Sequence, residues 1–111
     1  MQKAKKVIYV SHPYGGKEEN KAAIENIIKE FVKEYPYYTF VSPIHCFGFM
    51  YDKLPYQQGL DMCINLLEKC DEMWLCGDFL DSRGCRAEIK WCHNHLKPYT
   101  TISMVKAGGN L

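Results

Sequence analysis

In the stretch GDFLDSRGCRAEIKWC, Gly77 to Cys92, a loop bearing Asp, Ser, Arg and Gly runs into a helical pattern that carries a carboxylate on its apolar face. Cys85, Ile89 and Cys92 recur at i, i+4 and i+7, the stripe that must meet a sheet. Glu88 falls three residues after Cys85 and four before Cys92, on the same face. Burying a lone charge there costs on the order of several kcal/mol, so the group needs a partner, a proton or a cavity. A rim ion pair involving Arg86, or the surroundings of Lys90, is the structural alternative to a ligand.

A second loop, SHPYGG (Ser11–Gly16), also mixes polar side chains with turn formers. Both loops lead into helix starts, where free N–H groups and the positive end of the dipole suit a phosphate or carboxylate. Gly15, Gly16 and Gly84 let backbone approach a ligand closely. Taken singly, Ser82 reads equally well as an N-cap and Gly15 as a turn residue.

The elements that position these loops follow from periodicity. The run Val7–Ser11 is continuously apolar up to its last residue, as in a strand buried on both faces of a parallel sheet. From Lys17 to Glu34, Ile24, Ile27, Ile28 and Phe31 form a helical stripe, with Glu18 and Glu19 in the first turn. Tyr38–Ser42 makes a second strand closed by Pro43. The aromatic segment IHCFGFMYDKLPY reads as a packed loop or helical turn, or as a pocket wall, with Gly48 and Pro55 excluding a long element. A helix over Gln57–Lys69 (Leu60, Cys63, Ile64, Leu67), a strand over Glu72–Cys76, a helix over Arg83–His95 and a strand over Thr100–Val105 complete the chain. Alternating units of this length predict one α/β domain spanning 1–111, a Rossmann-like or flavodoxin-like three-layer sandwich with a mainly parallel four-stranded sheet. Ligands in such sheets bind beyond the carboxyl ends of the strands, where strand order reverses.

Composition narrows the function classes. With 47% apolar and 24% charged residues in 111, and a formal net charge of +1, the chain has a globular composition and no basic surplus to suggest nucleic acid or a membrane surface as partner. No run approaches the roughly 18 apolar residues of a membrane span. Met1–Lys6 leads straight into a strand without a signal-peptide pattern, so a cytoplasmic protein is expected. The six cysteines form no C-x-x-C pair and read as buried thiols in a reducing compartment. Cys92, His93 and His95 point in different directions on a helix, so no metal site is expected there.

Three stretches, IYVSHPYGG, LLEKCDEMWLCG and DSRGCRAEIKWC, together resemble the nucleoside 2-deoxyribosyltransferase superfamily, most nearly its small bacterial and phage branch. The resemblance covers most of the chain in order. It implies that Glu88 is a nucleophile attacking C1′ of a sugar, that Ser82, flanked by Arg83 and Gly84, binds a 5′-phosphate, and that Ser11, His12, Tyr14 and Gly15 line the sugar and base site. The implied ligand is a nucleoside or nucleotide, with no cofactor, and the implied assembly a homodimer or higher homo-oligomer. The apolar segment Phe47, Phe49, Met50, Tyr51 and Tyr56 is the expected contact surface. Asp78 and Asp81 are the candidate acids for protonating the departing base, the expected reaction being cleavage or exchange of an N-glycosidic bond; a non-catalytic nucleotide sensor is the alternative. The superfamily's enzymes carry an Asp eight residues ahead of the Asp that opens the third strand; Cys63 stands there in this chain, and Asp61 falls on the wrong side of the helix.

Overall fold

A computed structural model describes residues 5–102. Strands β1 (Lys6–Ser11), β2 (Tyr38–Val41), β3 (Glu72–Leu75) and β4 (Tyr99–Thr101) pair in the order β2-β1-β3-β4, all parallel. Helix α1 (Glu18–Glu34) joins β1 to β2. Helix α2 (Pro43–Phe47), a 3₁₀ turn (Gly48–Met50) and helix α3 (Tyr56–Glu68) join β2 to β3, and a 3₁₀ turn (Phe79–Asp81) with helix α4 (Arg83–Asn94) joins β3 to β4. This is the expected α/β sandwich: parallel neighbours require crossovers, and the crossovers cover the sheet.

The two faces of β1 sort the core. Ile8 and Val10 pack with Ile24 and Phe31 of α1, Ile44 of α2 and Trp74 of β3. On the other face Tyr9 packs with Leu67 of α3, Met73 and Leu75 of β3, and Cys85 and Cys92 of α4, with Val7, Val41 and Cys63 at its margin. The α1 face is a cluster of rings: Phe31 and Tyr35 meet Trp74 edge-on at centroid distances of 5.0 and 5.1 Å, and Tyr35 stacks on Tyr38 at 5.7 Å.

Several boundaries differ from the sequence pattern by one residue or a few, each for a local reason. Ser42 leaves β2 to cap α2, accepting from His45 N at 3.4 Å, and Pro43 occupies the first helical position that suits its fixed φ. The aromatic segment is thus a five-residue helix followed by a 3₁₀ turn. His45 also ties α2 to α1, its Nε2 lying 2.7 Å from Glu25 Oε2. Cys76 falls outside β3, although its N–H still donates to Ser11 O at 2.9 Å. Helix α4 stops at Asn94, followed by Leu96 in the left-handed region (φ 56), where Lys97 N returns to Cys92 O. Strand β4 begins one residue early, at Tyr99, and ends at Thr101; positions 103–105 of the expected strand lie outside the described residues. Among the described residues no helix is long and apolar enough to cross a membrane.

Strand order reverses between β1 and β3, whose registers align Ser11 with Leu75. The two candidate loops therefore leave neighbouring central strands at the same level, the crevice position of open α/β sheets.

Candidate active site

Helix α4 is fixed by its cap: Ser82 Oγ accepts from Cys85 N at 3.2 Å, which turns the chain from the loop into the helix and sets Cys85, Glu88 and Cys92 against the sheet. Glu88 is only 6% exposed. The Tyr9 hydroxyl donates to its Oε2 and the Ser11 hydroxyl to its Oε1 at 2.8 Å, so both oxygens are held by alternate residues of β1. The Cys85 thiol lies 3.2 Å from Ser11 Oγ; because the Ser11 proton is directed at Glu88, the thiol is the donor in that contact. Neither Arg86, which donates to Leu80 O at 2.6 Å, nor any other cation of the described residues forms an ion pair with Glu88.

This environment sets the protonation states. Burial pushes the Glu88 carboxyl above its usual value, while the two hydroxyl bonds pull the other way. Burial and then the Glu88 charge hold the Tyr9 phenol well above its usual value, so it remains a donor. The Cys63 thiol on α3 lies against the Tyr9 hydroxyl. Burial first, then the Glu88 charge, pushes that thiol up to about 11. Cys63 therefore stays neutral beside the Tyr9 hydroxyl. Chemically the site is a carboxyl oriented through both oxygens, with about half of its lone-pair sites left for another partner.

The loops close around this centre. His12 of the first loop lies over Gly77 of the second: a Cβ on Gly77, whose φ is 68°, would meet His12 Nε2 at 2.8 Å and Pro13 Cδ at 3.2 Å, so only glycine fits. The His12 ring is held by a 2.7 Å contact between Nδ1 and Pro13 O. Tyr14 packs on Gly48 and meets the Tyr51 ring edge-on at 5.2 Å, joining the first loop to the 3₁₀ turn. Gly15 is exposed, with φ 60°.

Of the residues singled out in the sequence, Glu88 and Ser11 are brought into direct contact, His12 abuts the second loop, and Ser82 and Gly84 sit at the start of α4. Asp78 and Asp81 are exposed at either end of the 3₁₀ turn, and neither is among the groups bonded to Glu88. Arg83 is exposed, with its guanidinium carbon 3.9 Å from the Tyr56 ring centroid. Two cavities, of about 270 Å³ beside Leu96 and Tyr99 and about 350 Å³ beside Ile27 and Ile102, are not lined by Glu88, Tyr9 or Ser11. Tyr9 is a site residue that the motif reading missed. The signal for Tyr9 is its spacing of two from Ser11, which puts both on one strand face. Among the described residues no three His, Cys, Asp or Glu side chains converge into a group able to hold a metal ion.

The profile of a family described as Domain of unknown function (DUF7768) matches residues 6–102. The chain belongs to this family. Neither a curated protein nor a solved structure matches it. The span shared with DUF7768 runs from the first residue of β1 to just past β4, so it includes both loops together with Tyr9, Ser11, Cys63 and Glu88.

Proposed function

We propose that the domain binds a 2′-deoxynucleoside or its 5′-monophosphate at the ends of β1 and β3 and cleaves or exchanges its N-glycosidic bond through Glu88. The observation that carries this reading is a buried carboxyl at the strand-order reversal, without a cation partner among the described residues and gripped through both oxygens by hydroxyls of one strand. A structural carboxylate is ordinarily neutralised by a nearby base. One held only by hydroxyls keeps its nucleophilicity once its proton leaves.

In the first displacement the ionised Glu88 oxygen bonds to C1′ while the C1′–N bond breaks. The departing base takes a proton from Asp78 or Asp81, leaving a glycosyl ester. In the second, water or another base attacks C1′, the ester bond breaks and Glu88 is regenerated. Tyr9 and Ser11 orient the carboxyl throughout. Ser82, Arg83 and Gly84 at the start of α4 take the 5′-phosphate: Ser82 Oγ accepts from Cys85 N, which leaves its own proton for a ligand. Ser11, His12, Tyr14 and Gly15 border the sugar.

A second reading is a non-catalytic nucleotide-binding module, favoured by Cys63, which supplies no carboxylate beside Tyr9. A calorimetric screen of nucleosides and nucleotides, followed by chromatography for released base, separates the two. Binding with base release supports the enzyme, binding without it the module, and no binding sinks both. The reading also includes a homodimer or higher oligomer. Phe49, Tyr51 and Leu80 are 78%, 50% and 67% exposed near the site loops, and light scattering at assay concentration checks this. It further includes a cytoplasmic location, which the six free thiols suit.

A further inference from the structure

Helices α3 and α4 both start at the carboxyl end of the sheet, and their first residues, Tyr56 and Arg83, are in contact. The Arg83 guanidinium covers one face of the Tyr56 ring at 3.9 Å, yet Tyr56 remains 40% exposed. Tyr56 lies on the same side of α3 as Cys63, seven residues on and about 10 Å down the axis. Cys63 in turn rests on the Tyr9 hydroxyl that bonds Glu88. Arg83 stands five residues, about 8 Å of rise, before Glu88 on α4. The stacked pair therefore roofs the crevice between the two helices, with the carboxyl beneath it. The Tyr56 phenol is raised chiefly by burial, opposed by Arg83 and reinforced by the Glu88 and Cys63 charges, as fits a ring standing over that centre.

We propose that the Tyr56 ring, backed by Arg83, is the platform on which the heteroaromatic base of the ligand stacks, with the sugar spanning the gap between that platform and Glu88. This rests on the functional reading above and adds its base-binding residue. A ring with one face held by a planar guanidinium is already ordered, so stacking on its other face costs little further side-chain entropy. The vertical separation of platform and carboxyl, about one and a half to two helical turns, matches the length of a nucleoside better than that of a free sugar. Because every base has a π-face, the platform favours base-bearing over base-free ligands and discriminates weakly between purines and pyrimidines.

The test uses the full chain and, by calorimetry, the four common deoxynucleoside 5′-monophosphates against 2-deoxyribose 5-phosphate. The wild type is expected to bind at least one nucleotide about tenfold or more tightly than the sugar phosphate. Tyr56→Ala removes that advantage, weakening the nucleotide far more than the sugar phosphate, while Tyr56→Phe keeps it. A thermal melt confirms that the exposed-site variants fold. If Tyr56→Ala weakens nucleotide and sugar phosphate equally, or leaves the nucleotide advantage intact, the platform is overturned while the binding reading stands. If the wild type binds neither class of probe, the functional reading fails and the platform falls with it.

Discussion

The two faces of the sheet bury comparable numbers of side chains by opposite means. Against α1 the filling is aromatic: Phe31, Tyr35, Tyr38, Phe40 and Trp74 form one cluster of edge-on, tilted and stacked rings, and the indole N–H reaches Glu72 Oε2 at 2.9 Å, where Lys6 neutralises the other oxygen at 2.7 Å. Against α3 and α4 the filling is softer, with Cys63, Cys85 and Cys92 near a carboxyl that has hydroxyl donors and, among the described residues, no cation partner. One carboxylate is paired at a half-exposed edge, where the pair costs little. The other is desolvated in the interior, an arrangement that packing alone does not reward. The contrast separates a face filled by aromatic packing from one that buries a carboxyl at a cost in stability, the group proposed above as the nucleophile.

Glu88→Gln sharpens this contrast most. It preserves volume and lets both hydroxyls keep a partner, so the fold should persist, while turnover on a base-releasing substrate falls by several orders of magnitude in single-turnover assays. Wild-type turnover in the variant would abolish the distinction between the faces. Next in size, Trp74→Ala on the aromatic face should cost about 3–5 kcal/mol in urea unfolding and leave turnover per folded molecule unchanged, because the indole packs among Phe31, Tyr35, Tyr38 and Phe40, on the opposite face of the sheet from Glu88. Tyr9→Phe on the Glu88 face removes the donor to Glu88 Oε2 and should cost about 1–3 kcal/mol at neutral pH. A variant as stable as wild type would mean that the hydroxyl does not hold the carboxyl.

The smallest effect is a slope. Burial holds the Glu88 carboxyl above its ordinary 4.5, so as pH rises past that value the native state retains a proton that the unfolded chain has lost. Stability contributed at this position is therefore greatest in acid and declines as pH rises toward the native value. Glu88→Gln has nothing to titrate there. The difference in melting temperature, variant minus wild type, should grow from about pH 4 to neutrality, and a constant difference would show that the carboxyl is not desolvated.

Much of this was readable before any coordinates. Ile24, Ile27, Ile28 and Phe31 repeat cleanly because α1 is buried along one stripe, and Glu88 stood out because it interrupts such a stripe in α4. Strand order was not readable, since it depends on which strands pair across long separations. Tyr9 stayed hidden because a strand buried on both faces has no polar alternation to show which way each residue points. Helix α2 carried its Ser-Pro start signal but, at five residues, was too short to show a period. An acid on an apolar face signals a need for a partner, a proton or a cavity without saying which; the partners are Tyr9 and Ser11, whose hydroxyls lie 79 and 77 residues away in sequence.

The hydrogen bonds to Glu88 span 79 residues from Tyr9 and 77 from Ser11. Contacts of such separation are slow to form, because chain entropy must be lost before any attraction offsets it. The β1–α1–β2 unit can pair locally as soon as it leaves the ribosome, but the carboxyl stays hydrated until β3 docks beside β1 and α4 follows. Closure around Glu88 is therefore a late event in folding, and because burial lifts the carboxyl above its ordinary 4.5, that last step shifts the group toward its protonated form.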